Sequence, residues 1–250
     1  MAGNARFLVG LTVAGAAGGL VTVGVQGGLG VAEAATSGTP RAAVEGVVVF
    51  DGESPAASLI DMSADPYCAG AHQTPAAAPR VAVGEAGGLA HVLVVIRSGP
   101  ATIGDPTTGA EVVLNQQGCL YEPRVLAIRT GQTLVIRNSD QTLHNVHAHA
   151  EANRSFNVGQ PMRGMESERT FAEPELIRVS CDIHGWMEAW VAVTEHSGFA
   201  VTDANGRFEL PDLAPGDYVI EAWHPTLGSV TTDVTVADGD AARLEVTFGG

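Results

Sequence analysis

From residue 44 onward the chain is written in short apolar runs and apolar–polar alternations separated by Gly, Pro, Asn and Asp, the pattern of β-strands joined by turns. Strands are predicted at residues 44–50, 59–62, 89–97, 110–114, 125–128, 133–137, 144–149, 176–180 and 189–193, with Gly131 supplying the turn after the fifth. Residues 69–80 are mostly Ala and Pro and read as a loop, with His72 expected to face solvent. Residues 150–167 carry scattered Asn and Gly and read as a second, long loop, with Met162 and Met165 expected to pack beneath it. His91 is expected as a polar residue near the start of its strand, and not as a ligand. Beyond residue 194 the turns change character: Asn205-Gly206 predicts a hairpin across residues 201–210, and strands at 213–224, 230–236 and 244–248 continue an antiparallel set. The predicted fold class is all-β, divided into a module at residues 44–194 and a small sandwich at 195–250.

Upstream, residues 7–32 are almost wholly Gly, Ala, Val and Leu, preceded by Arg6 and followed by Ala32-Glu33-Ala34. Residues 1–34 therefore read as a secretory signal, or else an uncleaved N-terminal anchor, and residues 35–43 as a small polar linker.

The chemistry gathers in one turn. Cys181, His184 and Met187 stand at Cys-x2-His-x2-Met spacing between two predicted strands. Alternation puts Ile177, Val179 and Cys181 on one face, so the thiol points inward. A thiolate, an imidazole and a thioether in one tight turn supply three ligands of the two-His, one-Cys, weak-axial-Met set of electron-transfer copper. A second His must come from elsewhere, and residues 134–149 offer three. Alternation groups His144 with Val146 and Ala148 on the apolar face and sets His147 and His149 on the other with Asn145, so His144 is the expected ligand. The polar corner Asn138-Ser139-Asp140, with Asn145, is expected to hold backbone groups and orient the ligand strand from behind.

The Asn-x-Asp-x-x-x-His-Asn-Val segment (residues 138–146) followed by the late Cys-x2-His-x2-Met resembles the cupredoxins, or blue copper proteins, and its short last gap is similar to that of amicyanins, more than plastocyanins. Gly185 departs from the amicyanin loop, which carries a proline there. The resemblance implies a Greek-key sandwich and one type 1 copper ion, with His144, Cys181 and His184 as equatorial ligands and Met187 axial. It also implies that electrons enter through an apolar surface over the late His, here including Gly185 and Trp186. After residue 194, Thr-Asp-x-x-Gly-x-Phe (202–208) and Pro-Gly-x-Tyr (215–218) resemble carboxypeptidase-regulatory-like, transthyretin-type sandwiches, which are structural or interaction modules. His224, beside Trp223, is expected in packing or at an interface.

Three cysteines in an exported chain leave one over. Cys68 and Cys119 both lie in turn-like stretches outside the copper loop and are expected to pair, which leaves Cys181 reduced and best retained by a metal. All thirteen basic residues are arginine and the net charge is −15, unchanged without residues 1–34 because Arg6 and Glu33 cancel. Such a surface disfavours nucleic acid and anionic membrane and favours basic partners or a saline habitat. Membrane contact is expected only through an uncleaved N-terminal segment. No catalytic triad, zinc His-Glu-x-x-His or phosphate-cradling Gly loop is present, so an enzyme is not expected. The expected function is single-electron transfer between periplasmic or extracellular redox proteins. The alternatives are a copper carrier or storage protein and a copper-free structural or carbohydrate-contact protein.

Overall fold

The computed structural model describes residues 42–77, 80–100, 111–239 and 241–249. The signal at 1–34 and all of the linker except residues 42 and 43 lie outside the described residues; those two open the first strand. In chain order the strands are β1 (Ala42–Asp51), β2 (Leu93–Ser98), β3 (Val112–Gln117), β4 (Leu120–Glu122), β5 (Val125–Arg129), β6 (Leu134–Asn138), β7 (His144–His149) and β8 (Phe156–Gln160). They continue as β9 (Glu166–Arg169), β10 (Glu175–Ser180), β11 (Glu188–Thr194), β12 (Phe199–Val201), β13 (Arg207–Leu213), β14 (Gly216–His224), β15 (Gly228–Val236) and β16 (Ala242–Gly249), and one short helix, α1 (Pro66–Gly70), precedes β2.

The chain is all-β, and the strands of the described residues form four sheets packed as two sandwiches. In the first, the order β5-β11-β10-β7-β8 faces β4-β3-β6-β9. Leu114, Ile128, Leu134, Ile136, Val146, Ile177, Val179 and Val191 fill the space between them. In the second, β13-β1-β16 faces β12-β2-β14-β15, and Val44, Val48, Val94, Ile96, Leu210, Tyr218, Ile220 and Phe248 form its core. A third cluster joins the outer faces of the two sandwiches: Leu93, Val95, Phe199, Val201 and Trp223 meet Val125, Ala127, Leu176, Trp190 and Ala192. This explains why Leu93-Val94-Val95-Ile96 is apolar without alternation. Both faces of β2 are covered, one by each neighbour.

The strand pairing does not follow the expected division at residue 194. β1 is the central strand of its sheet, antiparallel to β13 and parallel to β16, and β2 lies between β12 and β14. Both belong to the second sandwich, although they precede the copper-type motifs by many residues. Strands β13 and β16 are joined through β1, so this sheet takes its central strand from outside residues 195–250. Long-range pairing of this kind leaves no trace in local periodicity.

Other expectations need correction. Residues 59–62 form no strand; Leu59 makes one isolated bridge to Ala77 and is exposed. The long loop at 150–167 contains β8 and the start of β9, edge strands whose half-exposed faces dilute the apolar pattern. The Asn205-Gly206 turn is present, with Gly206 at φ 75°, but the strands on either side join different sheets and do not pair as a hairpin. Strands β5 and β6 likewise part company after Gly131. Helix α1 was not anticipated. Its signal is Asp65-Pro66: Asp65 Oδ1 accepts from the amides of Tyr67 (2.8 Å) and Cys68 (3.2 Å), and the proline opens the turn.

Candidate metal centre

The site lies at one end of the first sandwich, where β7 begins and the loop between β10 and β11 crosses it. Val179 and Cys181 follow the inward parity of β10, and Cys181 is 2% exposed. The loop is tight because the Cys181 amide donates to the Met187 carbonyl (3.2 Å) and the Met187 amide to the His184 carbonyl (2.9 Å). It therefore turns His184 back over Cys181. From β7, His144 enters the same space, fully buried.

His144 Nδ1 and His184 Nδ1 stand 3.0 Å apart, with Cys181 Sγ 3.9 Å from His184 Nδ1. The nitrogen, sulfur and nitrogen atoms of His144, Cys181 and His184 all lie within 4.8 Å of one another. Two further groupings share these histidines, Asp65 with Cys68 and His184, and Cys119 with Asp140 and His144. In both, however, the sulfur belongs to the Cys68–Cys119 disulfide, whose Cα atoms are 5.6 Å apart. Cys181 is the free thiol. Only the first grouping thus combines two imidazoles with an ionisable sulfur, a donor set that fits a soft transition metal. Met187, 1% exposed, is packed in the same core.

Carboxylates hold the outer nitrogen of each imidazole. His144 Nε2 donates to Asp140 Oδ2 at 2.9 Å, and His184 Nε2 to Asp65 Oδ2 at 3.1 Å. An ionised carboxylate only accepts, so each contact places a proton on Nε2 and leaves Nδ1 facing inward. Asp140 also accepts from the amides of Gly118 and Cys119, each at 2.8 Å, and from Tyr67 Oη at 3.2 Å. Its own amide donates to Asn138 Oδ1 (2.8 Å), while Asn138 Nδ2 donates to the carbonyls of Thr142 and Gln160. Burial pulls the His144 pKa down, but the bonds to Asp140 and Cys181 outweigh it and raise it to about 9. For Cys181, burial raises the thiol, whereas bonds from His144 and nearby backbone amides prevail and lower it. Its thiol donates to Asn145 Oδ1 (3.3 Å), and the His184 amide donates to Sγ (3.4 Å). Asn145 Oδ1 also accepts from the Asp182 amide at 2.7 Å, tying β7 to the loop.

His147 and His149 are on the opposite face, stacked with ring centroids 4.0 Å apart. His147 Nδ1 bonds Asp182 and His149 Nε2 bonds Ser180 Oγ. Met162 is 64% exposed instead of packed beneath its loop. His72 is half-buried, its Nε2 donating to the Gly118 carbonyl at 2.7 Å, where solvent exposure was expected.

Of the apolar surface expected over His184, Gly185 is exposed, whereas the imidazole itself is covered. His184 is 2% exposed, and Cys68 Sγ lies 3.6 Å from its Nε2. Trp186 is half-buried, its ring centroid 5.1 Å from that of His184, and its Nε1 donates to the Cys119 carbonyl (2.9 Å). Asp65, which closes this edge, was missed by sequence reasoning. The Asp65-Pro66 pair is a helix-start signal that went unread, and its distance from His184 in the chain hid the contact.

Residues 187–249 match the family of carboxypeptidase regulatory-like domains. No curated protein matches the chain. Among solved structures, a copper-containing nitrite reductase from Thermus scotoductus SA-01 aligns at 22% identity over 39% of this chain, TM-score 0.33, and the alignment spans a quarter of the reductase. A purple cupredoxin from Nitrosopumilus maritimus aligns at 22% identity over 34% of this chain and all of its own, TM-score 0.30. A methionine-to-alanine mutant of amicyanin in its Cu(I) form aligns at 22% identity over 40% of this chain and 97% of its own, TM-score 0.31.

Proposed function

We propose that this chain is an exported one-electron carrier in which His144, Cys181 and His184 would hold one copper ion, with Met187 as a weaker fourth donor. The observation that carries this reading is the inward convergence of two Nδ1 atoms and one free thiol in a buried space, with a carboxylate behind each imidazole. When bound, copper supplies a couple between Cu(I) and Cu(II). The residues do the rest. Cys181 is held by amide donors that favour its thiolate, Asp140 and Asp65 fix the imidazoles, and burial keeps water from the ligands.

Partner contact is best supported at Leu143 and Ile183, the exposed apolar residues immediately preceding His144 and His184. Trp186 is turned toward the disulfide instead. With a charge of −15, the protein favours a redox partner with a basic docking surface. The disulfide supports an oxidising compartment, periplasmic or extracellular. No helix of the described residues is long and apolar enough to cross a membrane. A carrier that hands its metal on is less well supported, because the edge of His184 is covered.

An absorption spectrum of the Cu(II)-loaded protein tests the proposal. An intense thiolate-to-copper band in the visible is expected, lost in Cys181→Ser and in His144→Ala and retained in His147→Ala. A colourless copper-loaded protein, or a band that survives Cys181→Ser, overturns it.

A further inference from the structure

Between β1 and β2 the chain leaves the second sandwich, crosses to the metal end of the first, and returns. Val48 and Phe50 before this excursion, and Val81 and Leu89 after it, lie in the second core, whereas Met62 and Cys68 within it lie in the first. Its tip is Asp65 and helix α1. Thr142 Oγ1 donates to Asp65 Oδ2 at 2.9 Å, so the oxygen that receives His184 is itself fixed. Tyr67 reaches Asp140 behind the other imidazole, and Cys68 is bonded covalently to Cys119, whose amide also donates to Asp140.

We infer that residues 65–68 form a cap, delivered by the second sandwich and pinned by the Cys68–Cys119 bridge, that positions His184 as a ligand and holds it there. The inference rests on the copper reading above and gives the segment between β1 and β2 a task in it. Ile183 and Gly185, on either side of His184, are exposed. The cap is therefore what stands between this imidazole and solvent on its outer edge. With a metal held at its Nδ1, an outward swing of His184 would be opposed by Asp65 and Cys68, which stand 3.1 and 3.6 Å from its Nε2. Asp65 is a positioning residue: it fixes the tautomer that leaves Nδ1 free to bind.

Two measurements on the full chain test this, one without metal. Diethyl pyrocarbonate should modify His184 slowly in the metal-free wild type, and faster by about tenfold or more in Asp65→Asn and in Cys68→Ser/Cys119→Ser, because local opening governs access. With Co(II) as the probe, transfer to excess chelator should accelerate about 10- to 100-fold in both variants, the range expected when a carboxylate behind a ligand is lost. In Asp65→Asn the Cys181-to-cobalt charge-transfer band should persist but shift, and Asp65→Glu should restore slow release. Should the double variant fail to fold, Asp65→Asn carries the test, since it retains the bridge and the acceptor that caps α1. Unchanged His184 modification and unchanged release overturn the cap even if the protein binds copper. Failure of the wild type to take up either metal overturns the copper reading, and the cap's role with it.

Discussion

His144 and His224 are equally buried, at 0% and 1% exposure, yet their surroundings drive them in opposite directions. His144 stands at the metal end with Asp140 behind it, and its pKa is raised to about 9. For His224, at the end of β14 in the second sandwich, no carboxylate raises the pKa. Burial first, then the charges of Arg124 and His91, lower it to about 4. Its Nδ1 accepts from the amides of Thr226 (3.1 Å) and Leu227 (3.3 Å), a role that requires a neutral ring. Its ring also meets Phe248 edge-on. Burial alone thus makes a histidine a neutral packing element. It is the carboxylate on the outer nitrogen that makes one into a site where a proton, or a metal in its place, can be held.

The most severe way to break this contrast is to remove the carboxylate. Asp140→Ala leaves the amides of Gly118 and Cys119 and the Nε2–H of His144 without their acceptor in a buried corner. Stripping one partner from a buried ionic network costs about 3–5 kcal/mol. Urea denaturation of the metal-free variant should show that loss, and metal affinity should fall about 10- to 100-fold. A loss below about 1 kcal/mol would mean that the corner is held by Asn138 alone.

A smaller effect follows from pH. His224 has a lowered folded pKa, so between its ordinary value of about 6.5 and about 4 the unfolded chain binds the extra proton. Stability should therefore fall as pH drops through that window, by up to about 3 kcal/mol at one pKa unit per 1.36 kcal/mol. His224→Asn, which keeps an acceptor for the turn amides, should flatten the dependence. The metal-free site has the opposite sign. His144, with its raised pKa, contributes stability that is fully present below about 6.5 and is lost as pH rises through about 9. Melting temperatures across pH 4–10 should show both limbs, and bound metal should remove only the alkaline one. An acid limb that survives unchanged in His224→Asn would assign it to other groups.

Much of the end where His144, Cys181 and His184 meet could be read from residues because its determinants are local. The Cys-x2-His-x2-Met turn and the parity of β7 and β10 are each contained within a few residues, and strand alternation placed Cys181 and His144 inward and His147 and His149 outward. What escaped was non-local. Asp65 meets His184 across 119 positions, and β1 pairs in parallel with β16 across almost the whole described chain. Neither pairing alters the local pattern of apolar and polar residues, so β1 read only as a strand and Asp65 only as a turn residue. The edge strands β8 and β9 escaped for a different reason: with one face exposed and the other only half-buried, Asn157 and Gly159 cost little on the exposed face, and the sequence need not alternate strongly.

The mildest expected effect concerns the residue by which the metal loop departs from the amicyanin pattern. Gly206, in the second sandwich, needs to be glycine: it has φ 75°, and a Cβ there would lie 2.2 Å from the Val48 carbonyl oxygen. Gly185 is under neither constraint, since its backbone is outside the left-handed region and a Cβ would meet nothing within 4 Å. Gly185→Ala should fold normally and gain about 0.4–1 kcal/mol, because alanine narrows the unfolded ensemble while fitting the native backbone. The visible band of the copper-loaded variant should be unchanged, as the positions of His184 and Met187 are set by the cap and by the loop's own hydrogen bonds. A destabilised variant, or a shifted band, would show that the loop uses the freedom of glycine when metal is bound, and that its conformation there differs from the one described.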